Sequence, residues 1–192
     1  MPPRVLLFTR YPTPGAAKTR LIPALGPAGA ATVHRCLTER TLAAVRESGL
    51  RFELRATGAP NEAFADWLGP VPVAAQGEGD LGARLARAGP PYPTLFIGAD
   101  APDLTADLLR QAAAALDRAV ATIGPAEDGG YWLLGLGRAV PGVFDGIDWS
   151  TQRVFAQTLA RLRAAGVEPV LLPTLADCDR PDDLARWPDL LA

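Results

Sequence analysis

The sequence predicts an α/β fold with a parallel or mostly parallel β-sheet and helices on both of its faces. Short apolar runs typical of buried strands alternate along the chain with longer helical stretches. The glycines and prolines, 19 of each, are spread through the connections, and the sequence has no internal repeat, low-complexity tract or long linker. We therefore expect a single domain over residues 1–192.

The predicted strands are runs of apolar residues bounded by turn-forming residues. Pro72 weakens the third of them, because proline cannot donate a hydrogen bond to a neighbouring strand. In chain order, the predicted strands cover residues 4–8, 52–56, 71–75, 94–97, 119–123, 131–136 and 168–172.

The predicted helices cover residues 28–47, 61–68, 105–116 and 150–165. Thr105 is a suitable N-cap for the third helix, and Asp107 in its first turn suits the positive end of the helix dipole. Ser150 can cap the fourth helix in the same way. Near the end of the chain, Pro181 fits the first turn of a further helix, whose positive end suits the two aspartates that follow.

The composition excludes several classes of protein. Hydrophobic residues make up 48% and charged residues 21%, as in ordinary globular domains, so extended disorder is not expected. The formal net charge of −2 is not that of a general nucleic-acid binder, although it is compatible with a small phosphorylated ligand. Two cysteines, Cys36 and Cys178, and one histidine, His34, exclude a disulfide framework, a four-thiolate zinc site and a His-rich metal site.

The sequence contains no stretch that is long and apolar enough to span a bilayer, and the apolar run at residues 1–8 is too short for a signal-peptide core. We therefore expect a cytoplasmic protein.

His34 lies within a predicted helix, where a packed or surface role is expected. The tryptophans are scattered and favour packing roles, with the exception of Trp149, which precedes a predicted helix start that could meet an anion.

A loop that carries three cations follows the first predicted strand. Residues 9–21 contain two prolines that stiffen the loop, Gly15 that frees its backbone, and the side chains of Arg10, Lys18 and Arg20. A polyphosphate needs nearby backbone N–H groups and positive counter-charge, and this loop can supply both. Its glycine spacing matches neither the Walker A loop nor the dinucleotide fingerprint. The alternative is a solvated surface loop.

Carboxylates occur in three further loops. Asp100 follows a buried strand at the mouth of the sheet, where it could hold a divalent cation or serve as a turn residue or cap. Asp128 precedes a Gly-Gly pair that either lets a substrate approach the backbone or forms an ordinary Asp-Gly turn, which the local sequence slightly favours. Asp177 and Asp179 are not needed by the last predicted helix, so one of them is a candidate for binding a metal or a phosphate.

The stretch from Gln76 to Arg84 holds three glycines among polar residues, which indicates close backbone contact with a ligand. Taken together and in order, these stretches resemble one family. The motifs are Pro14-Gly15 with Lys18-Thr19-Arg20-Leu21, Gly79-Asp80-Leu81-Gly82 with Arg84, Ile97-Gly98 with Asp100 and Pro102, Gly124-Pro125-Ala126 with Asp128-Gly129-Gly130-Tyr131, Trp149-Ser150-Thr151, and Asp177 with Asp179 and Asp183-Leu184.

The series resembles a bacterial GT-A-fold family commonly labelled as glycosyltransferases, which includes radical-SAM-associated, selenodomain-associated and arsenosugar-type enzymes of the nucleotide-diphosphosugar transferase superfamily. The resemblance covers nearly the whole chain. It implies a three-layer α/β/α domain with a mixed, mainly parallel sheet of about seven strands, in which the strand near Tyr131 is antiparallel. More distantly, the sequence is similar to nucleotidyltransferases.

The resemblance also implies roles for individual residues. Nucleotide binding is expected at Arg10, Gly15, Lys18, Arg20, Gln76, Gly79, Asp80, Gly82 and Arg84. A divalent cation, Mg²⁺ or Mn²⁺, is expected on Asp100 and Asp179, and catalytic roles are expected for Lys18, Asp100 and Asp128. Arg10 stands where many members of the family have lysine, which keeps the charge.

The expected activity is metal-dependent glycosyl transfer from a nucleoside diphosphate sugar to a small acceptor, with Asp128 orienting or deprotonating the hydroxyl or thiol of that acceptor. The alternative is nucleotidyl transfer from a nucleoside triphosphate to a phosphorylated small molecule, with release of pyrophosphate. The sequence Asp100-Ala101-Pro102 replaces the Asp-x-Asp common in sugar transferases and brings this alternative closer. A third hypothesis is a nucleotide-binding module without catalysis. The sequence does not indicate the oligomeric state.

Overall fold

A computed structural model describes residues 2–191, over which strands and helices alternate. In chain order the elements are β1 (Arg4–Arg10), α1 (Ile22–Ser48), β2 (Arg51–Thr57), α2 (Asn61–Leu68), β3 (Val73–Ala75), α3 (Leu81–Ala88), β4 (Thr94–Ile97), α4 (Ala106–Ala115), β5 (Ala121–Pro125), β6 (Tyr131–Leu136), α5 (Val154–Ala164) and β7 (Val170–Leu171). Short 3₁₀ helices cover Thr19–Leu21, Pro181–Arg186 and Pro188–Leu191.

The strands form one seven-stranded sheet in the order β3-β2-β1-β4-β6-β5-β7. All neighbours are parallel except β6, which runs antiparallel to both β4 and β5. The predicted fold class is therefore confirmed, including the antiparallel strand that begins at Tyr131. Because β6 runs in the opposite direction, its first residue lies at the edge of the sheet where β1 and β4 end.

Helices cover both faces of the sheet, because side chains alternate between the faces along each strand. Val5 and Leu7 of β1 pack in a core cluster with residues of α1, α2 and α4, whereas Leu6 packs in a second cluster with residues of α3 and α5. A third cluster joins α1 to the C-terminal segment around Cys178 and Trp187. This last contact places the C-terminal segment beside the loop that follows β1.

Several predicted boundaries differ from the structure. Helix α5 begins at Val154, and Ser150 does not cap it, because the backbone of Ser150 is left-handed (φ 64°) whereas an N-cap residue is normally extended. Helix α1 begins before residue 28 and is kinked at Gly26, whose φ of 69° is not helical. The cap predicted for α4 is confirmed, since the Thr105 hydroxyl accepts a hydrogen bond from the Leu108 N–H.

Helix α3 was not predicted, because Gly79 and Gly82 make the sequence at its start typical of a loop. The Asp80 carboxylate caps this helix and accepts a hydrogen bond of 2.8 Å from the Ala83 N–H. Leu85 and Ala88 lie on the buried side of the helix, against the sheet. Among the described residues, no helix has the length and hydropathy needed to cross a membrane.

Candidate functional site

A cleft of about 500 Å³ opens where β1 and β4 end. Arg10 at the end of β1 and Lys18 and Arg20 in the loop after it lie in its wall. The loops after β4 and β7 supply Asp100 and Asp179. In open α/β sheets, ligands bind outside the carboxyl ends of the strands. The sequence-predicted cations and carboxylates thus meet in the place where a ligand is expected.

Lys18 lies at the centre of the polar groups in this cleft. Its Nζ donates hydrogen bonds to Asp179 Oδ1 at 2.6 Å and to the Cys178 carbonyl at 2.7 Å, and lies 2.6 Å from Asp100 Oδ1. It is the only lysine in the chain, alongside many arginines. A compact ammonium with three protons suits three oxygens around one point, which the planar guanidinium of arginine does not.

Backbone contacts hold the acidic partners of Lys18 in place. The Cys178 N–H donates to the Asp100 carbonyl at 2.9 Å, which ties the C-terminal segment to the loop after β4. The Asp183 carboxylate accepts hydrogen bonds from the N–H groups of Asp179 and Arg180, at 2.9 and 2.7 Å. Asp183 thereby closes the capping turn that the sequence predicts at Pro181, and that turn orients Asp179.

Further hydrogen bonds fix the end of β1 and the loop that follows it. The Arg10 guanidinium donates to the Ala16 carbonyl at 2.9 Å, and His34 Nε2 lies 2.9 Å from the Arg10 carbonyl. Arg20 Nη1 donates to Asp179 Oδ2 at 3.2 Å, so that Asp179 contacts both Lys18 and Arg20. Hydrogen bonds therefore hold the side chains of Arg10, Lys18 and Arg20 in the wall of the cleft.

Strained backbone occurs at this cleft. Among the described residues, Lys18 (φ 47°) and Ser150 (φ 64°) are the two non-glycine residues with a left-handed backbone, and both line the cleft. This conformation costs on the order of 1–2 kcal/mol for a residue with a Cβ atom. Such strain tends to cluster at functional sites, and here the contacts of the Lys18 ammonium hold it in place.

The charges in the cleft depend on one another. Burial disfavours the charged form of Lys18, but Asp100 and Asp179 outweigh this effect and raise its pKa above the ordinary value. Desolvation in the cleft likewise disfavours ionised Asp100, but Lys18 outweighs it and lowers the pKa of Asp100. The Lys18 side chain is only 5% exposed, whereas that of Asp100 is 55% exposed towards the cleft, so solvent and ligands can still reach the carboxylate.

Two further carboxylates lie next to this cluster. Asp128 lines the cleft, and its Oδ1 accepts a hydrogen bond of 2.7 Å from the Gly130 N–H, so it forms the predicted turn and faces the cleft as well. Asp177 lines an adjoining recess together with Asp128 and Asp179. Partial burial and the charges of Asp128 and Asp179 raise the pKa of Asp177 to about 6.

Other sequence-predicted nucleotide-binding residues lie outside the lining of this cleft. Gln76 is buried and donates to the carbonyls of Thr9 and Arg55, while its oxygen accepts from Arg84 at 3.2 Å. Asp80 caps α3, and Gly82 packs so closely on Trp149 and the Phe144 carbonyl that a Cβ would clash. The structure thus gives Gln76, Asp80, Gly82 and Arg84 structural contacts, and Gly15 and Gly79 have the positive φ angles that favour glycine. The role of these six residues in nucleotide binding stays a prediction.

The sequence does not indicate that His34 lies in the cleft, and it places Ser150 only at a helix start that could meet an anion. His34 projects from a long helix whose apolar spacing predicts only packing, and burial lowers its pKa and favours the neutral ring. Ser150 was expected at a helix N-cap. The feature that marks Ser150 as a residue of the site is its left-handed backbone, which the sequence does not reveal.

The carboxylates fit a divalent cation that completes its coordination with substrate. Among residues 2–191, no group of three or more His, Cys, Asp and Glu side chains is arranged to hold a metal. Asp100 Oδ1 and Asp179 Oδ1 nevertheless converge on one point, which Lys18 Nζ occupies. Mg²⁺ is commonly held by one or two carboxylates together with substrate phosphates and water, and these two oxygens suit that mode.

Comparison with known proteins gives the family of the chain. Residues 41–151, more than half of its length, match the profile of the DUF2064 family, described as an uncharacterized protein conserved in bacteria. A solved structure from Desulfovibrio desulfuricans G20, described as a proposed nucleotide-diphospho-sugar transferase, is 34% identical. It superposes with a TM-score of 0.88 over 94% of this chain and 84% of that chain. No protein with a curated description matches the sequence.

Two more distant structures share the fold alone. Rv0371C of Mycobacterium tuberculosis H37Rv, solved with manganese, is 17% identical over 96% of this chain and 97% of that chain, with a TM-score of 0.59. The 2-C-methyl-D-erythritol 4-phosphate cytidylyltransferase of Thermus thermophilus is 18% identical over 100% and 99%, with a TM-score of 0.59. The predicted resemblance to nucleotide-diphosphosugar transferases is confirmed, and the chain belongs to the DUF2064 family.

Proposed function

We propose that this protein is a transferase that uses a nucleotide-activated donor, and that it transfers a glycosyl group from a nucleoside diphosphate sugar to a small acceptor. One observation carries the proposal: Lys18 and Arg20 meet Asp100 and Asp179 in a single cleft at the carboxyl ends of the strands. A diphosphate leaving group needs positive counter-charge and a cation site at the same place. The similarity to the protein from Desulfovibrio desulfuricans G20 supports the same class of donor.

The residues of the cleft divide the work as follows. Asp100 and Asp179 would hold a divalent cation, which, when bound, neutralises charge on the leaving diphosphate. Lys18 and Arg20 add counter-charge on the same side, and Arg10 stiffens the loop that carries them. Asp128, which also lines the cleft, orients the acceptor hydroxyl and takes its proton.

The cation and Lys18 compete for the same oxygens. Lys18 Nζ lies 2.6 Å from Asp100 Oδ1 and from Asp179 Oδ1, so a cation bound to these two oxygens would displace the ammonium from at least one of them. The displaced ammonium then has free protons for the phosphate oxygens of the donor. We therefore propose that donor and cation bind cooperatively.

A second candidate function is nucleotidyl transfer from a nucleoside triphosphate to a phosphorylated acceptor. Asp100-Ala101-Pro102 lacks the second carboxylate of the Asp-x-Asp motif, and the loop of three cations suits a triphosphate. An acceptor phosphate is already ionised, so this reaction needs no base.

Product analysis separates the candidates. The protein is incubated with Mn²⁺ or Mg²⁺ and with labelled nucleoside triphosphates or nucleotide sugars in the presence of a mixture of small acceptors. Release of nucleoside diphosphate supports glycosyl transfer, release of pyrophosphate supports nucleotidyl transfer, and binding without either product supports a binding module. Asp100→Asn should abolish release, whereas Asp189→Asn, which alters an exposed ion pair with Arg40, should not.

A further inference from the structure

A second cavity of about 250 Å³ lies beside the cationic cleft and shares Asp100, Asp128 and Ser150 with it. It extends from the end of β4 and the start of β6 towards helices α3 and α5. A molecule in this cavity would reach the Asp128 carboxylate without contact with Lys18, which lines the cleft but not the cavity.

The wall of this cavity is mainly apolar and aromatic. Phe8 and Phe96, whose ring centroids are 6.4 Å apart, line it together with Trp149. Leu81, at the start of α3, also lines the cavity and is 40% exposed, whereas Leu85 one turn later is buried. Apolar walls with a few polar groups at one end are typical of sites for small organic ligands.

The charge of the cavity is negative. Of the residues that the structure describes, neither a lysine nor an arginine lines it, and its acidic lining residues are Asp100 and Asp128. Lys18 pairs with Asp100 from the cleft, at 2.6 Å, but does not line the cavity. An anionic ligand here would therefore be desolvated next to Asp128 without a cation in contact. The cleft on the other side of Asp100, by contrast, is lined by three cations.

We propose that this cavity binds the acceptor, and that the acceptor is an uncharged molecule with an apolar ring or chain next to its nucleophilic hydroxyl group. The inference rests on the proposed function. The acceptor oxygen forms a bond to the sugar carbon while the bond between that carbon and the diphosphate oxygen breaks. The acceptor proton passes to the Asp128 carboxylate, and the nucleoside diphosphate leaves. The charge of the cavity disfavours the phosphorylated acceptor that nucleotidyl transfer requires.

Two probes that differ only in charge test the proposal. Binding of benzyl alcohol and of benzyl phosphate is measured by saturation-transfer NMR on the full chain. Only the binding that excess inorganic pyrophosphate leaves in place is counted, because pyrophosphate competes for the cationic cleft, where benzyl phosphate could also bind. We expect benzyl alcohol to bind about tenfold or more tightly than benzyl phosphate, because the Asp128 carboxylate opposes the phosphate and no cation lines the cavity. In Leu81→Lys, which adds a cation at the cavity, this preference should fall by about tenfold. Leu171→Lys is the matched control, since Leu171 is also an exposed leucine but lies on the edge strand β7 and should leave the preference unchanged.

The outcomes separate this inference from the proposed function when the same samples are tested for stabilisation by nucleoside diphosphates with Mn²⁺. Equal or tighter binding of benzyl phosphate to the unmodified protein, or the same effect of both lysine variants, overturns the inference. Nucleotide binding without any benzyl alcohol binding also overturns the inference, but leaves the proposed function standing. If the protein binds benzyl alcohol but no nucleoside diphosphate stabilises it, the proposed function is overturned, and with it the acceptor role of the cavity.

Discussion

Replacing Lys18 by methionine tests the electrostatic design of the cleft. Methionine keeps a flexible apolar stem but removes the ammonium that contacts Asp100, Asp179 and the Cys178 carbonyl. The exposed Arg20 guanidinium, 3.2 Å from Asp179, is then the counter-charge that remains, and Asp100 loses its ion-pair partner. Removing one partner of a fully buried ion pair costs about 3–5 kcal/mol. The Asp100 and Asp179 side chains are 55% and 29% exposed, so solvent screens part of this cost, and we expect a loss of about 2 kcal/mol at pH 7.

The pH dependence of this loss follows from the pKa shifts. The lowered pKa of Asp100 contributes stability that is present above its ordinary value of 3.8 and is lost as the pH falls through the lower folded value. The raised pKa of Lys18 contributes stability that is present below its ordinary value of 10.5 and is lost only at strongly alkaline pH. The difference between the two proteins should therefore be full at pH 7 and shrink below pH 3.8.

Urea unfolding at pH 7 and at low pH, with and without Mn²⁺, measures these effects. Lys18→Met should bind Mn²⁺ more tightly than the unmodified protein when no nucleotide is present, because the ammonium no longer competes for the carboxylates. Lys18→Arg keeps the charge and should still lose nucleotide binding, because a planar guanidinium does not fit the three oxygens. Equal stability of Lys18→Met and the unmodified protein at pH 7, together with weaker Mn²⁺ binding by the variant, would refute the reasoning.

Three further changes test other parts of the molecule. Arg20→Met should change the free energy of unfolding by less than about 0.5 kcal/mol, since the ion pair of Arg20 is exposed. It should weaken nucleoside diphosphate binding about tenfold in calorimetry, whereas the control Arg40→Met should leave this binding unchanged. Asp177→Asn should stabilise the protein by about 1 kcal/mol at pH 7 but not at pH 4, because a carboxyl group with a pKa of about 6 ionises at a cost to stability as the pH rises from 4 to 6. Urea unfolding at both pH values measures this gain, and a gain of equal size at both would contradict this cause. Gly124→Ala should cost about 1–3 kcal/mol, because its Cβ would clash with the Trp132 ring, and an unchanged denaturation midpoint would disprove the packing of these two residues.

The sheet could be predicted from the sequence because its strands are short, apolar and bounded by glycine and proline. The strand at Thr94–Ile97 occupies the predicted residues, since all four side chains are buried and none of these residues belongs to a type that is depleted in strands. Pro72 limits β3 to the three residues that follow it. Helix α3 was missed because Gly79 and Gly82 favour a loop locally, and only its cap and its buried face against the sheet show the helix.

The site could be predicted only in part. The topology rule that parallel strands end at one edge predicts that the loops carrying Lys18 and Asp100 lie close together. The sequence could not reveal that Asp179 reaches the same point, since this depends on the packing of the C-terminal segment against α1. The apolar cavity was also hidden, because Phe8, Leu81 and Trp149 come from distant parts of the chain and each alone indicates ordinary core packing.

The single lysine allows a direct test of the central claim that the cleft grips a diphosphate. Protein labelled with ¹³C at the lysine ε-carbon carries its one lysine side-chain signal at Lys18. Nucleoside diphosphates are titrated against it in the presence of Mg²⁺, with the unphosphorylated nucleosides as controls. We predict a saturable shift of the Lys18 resonance with at least one diphosphate and none with its nucleoside. A resonance that stays unchanged while a diphosphate saturates the protein would contradict the account.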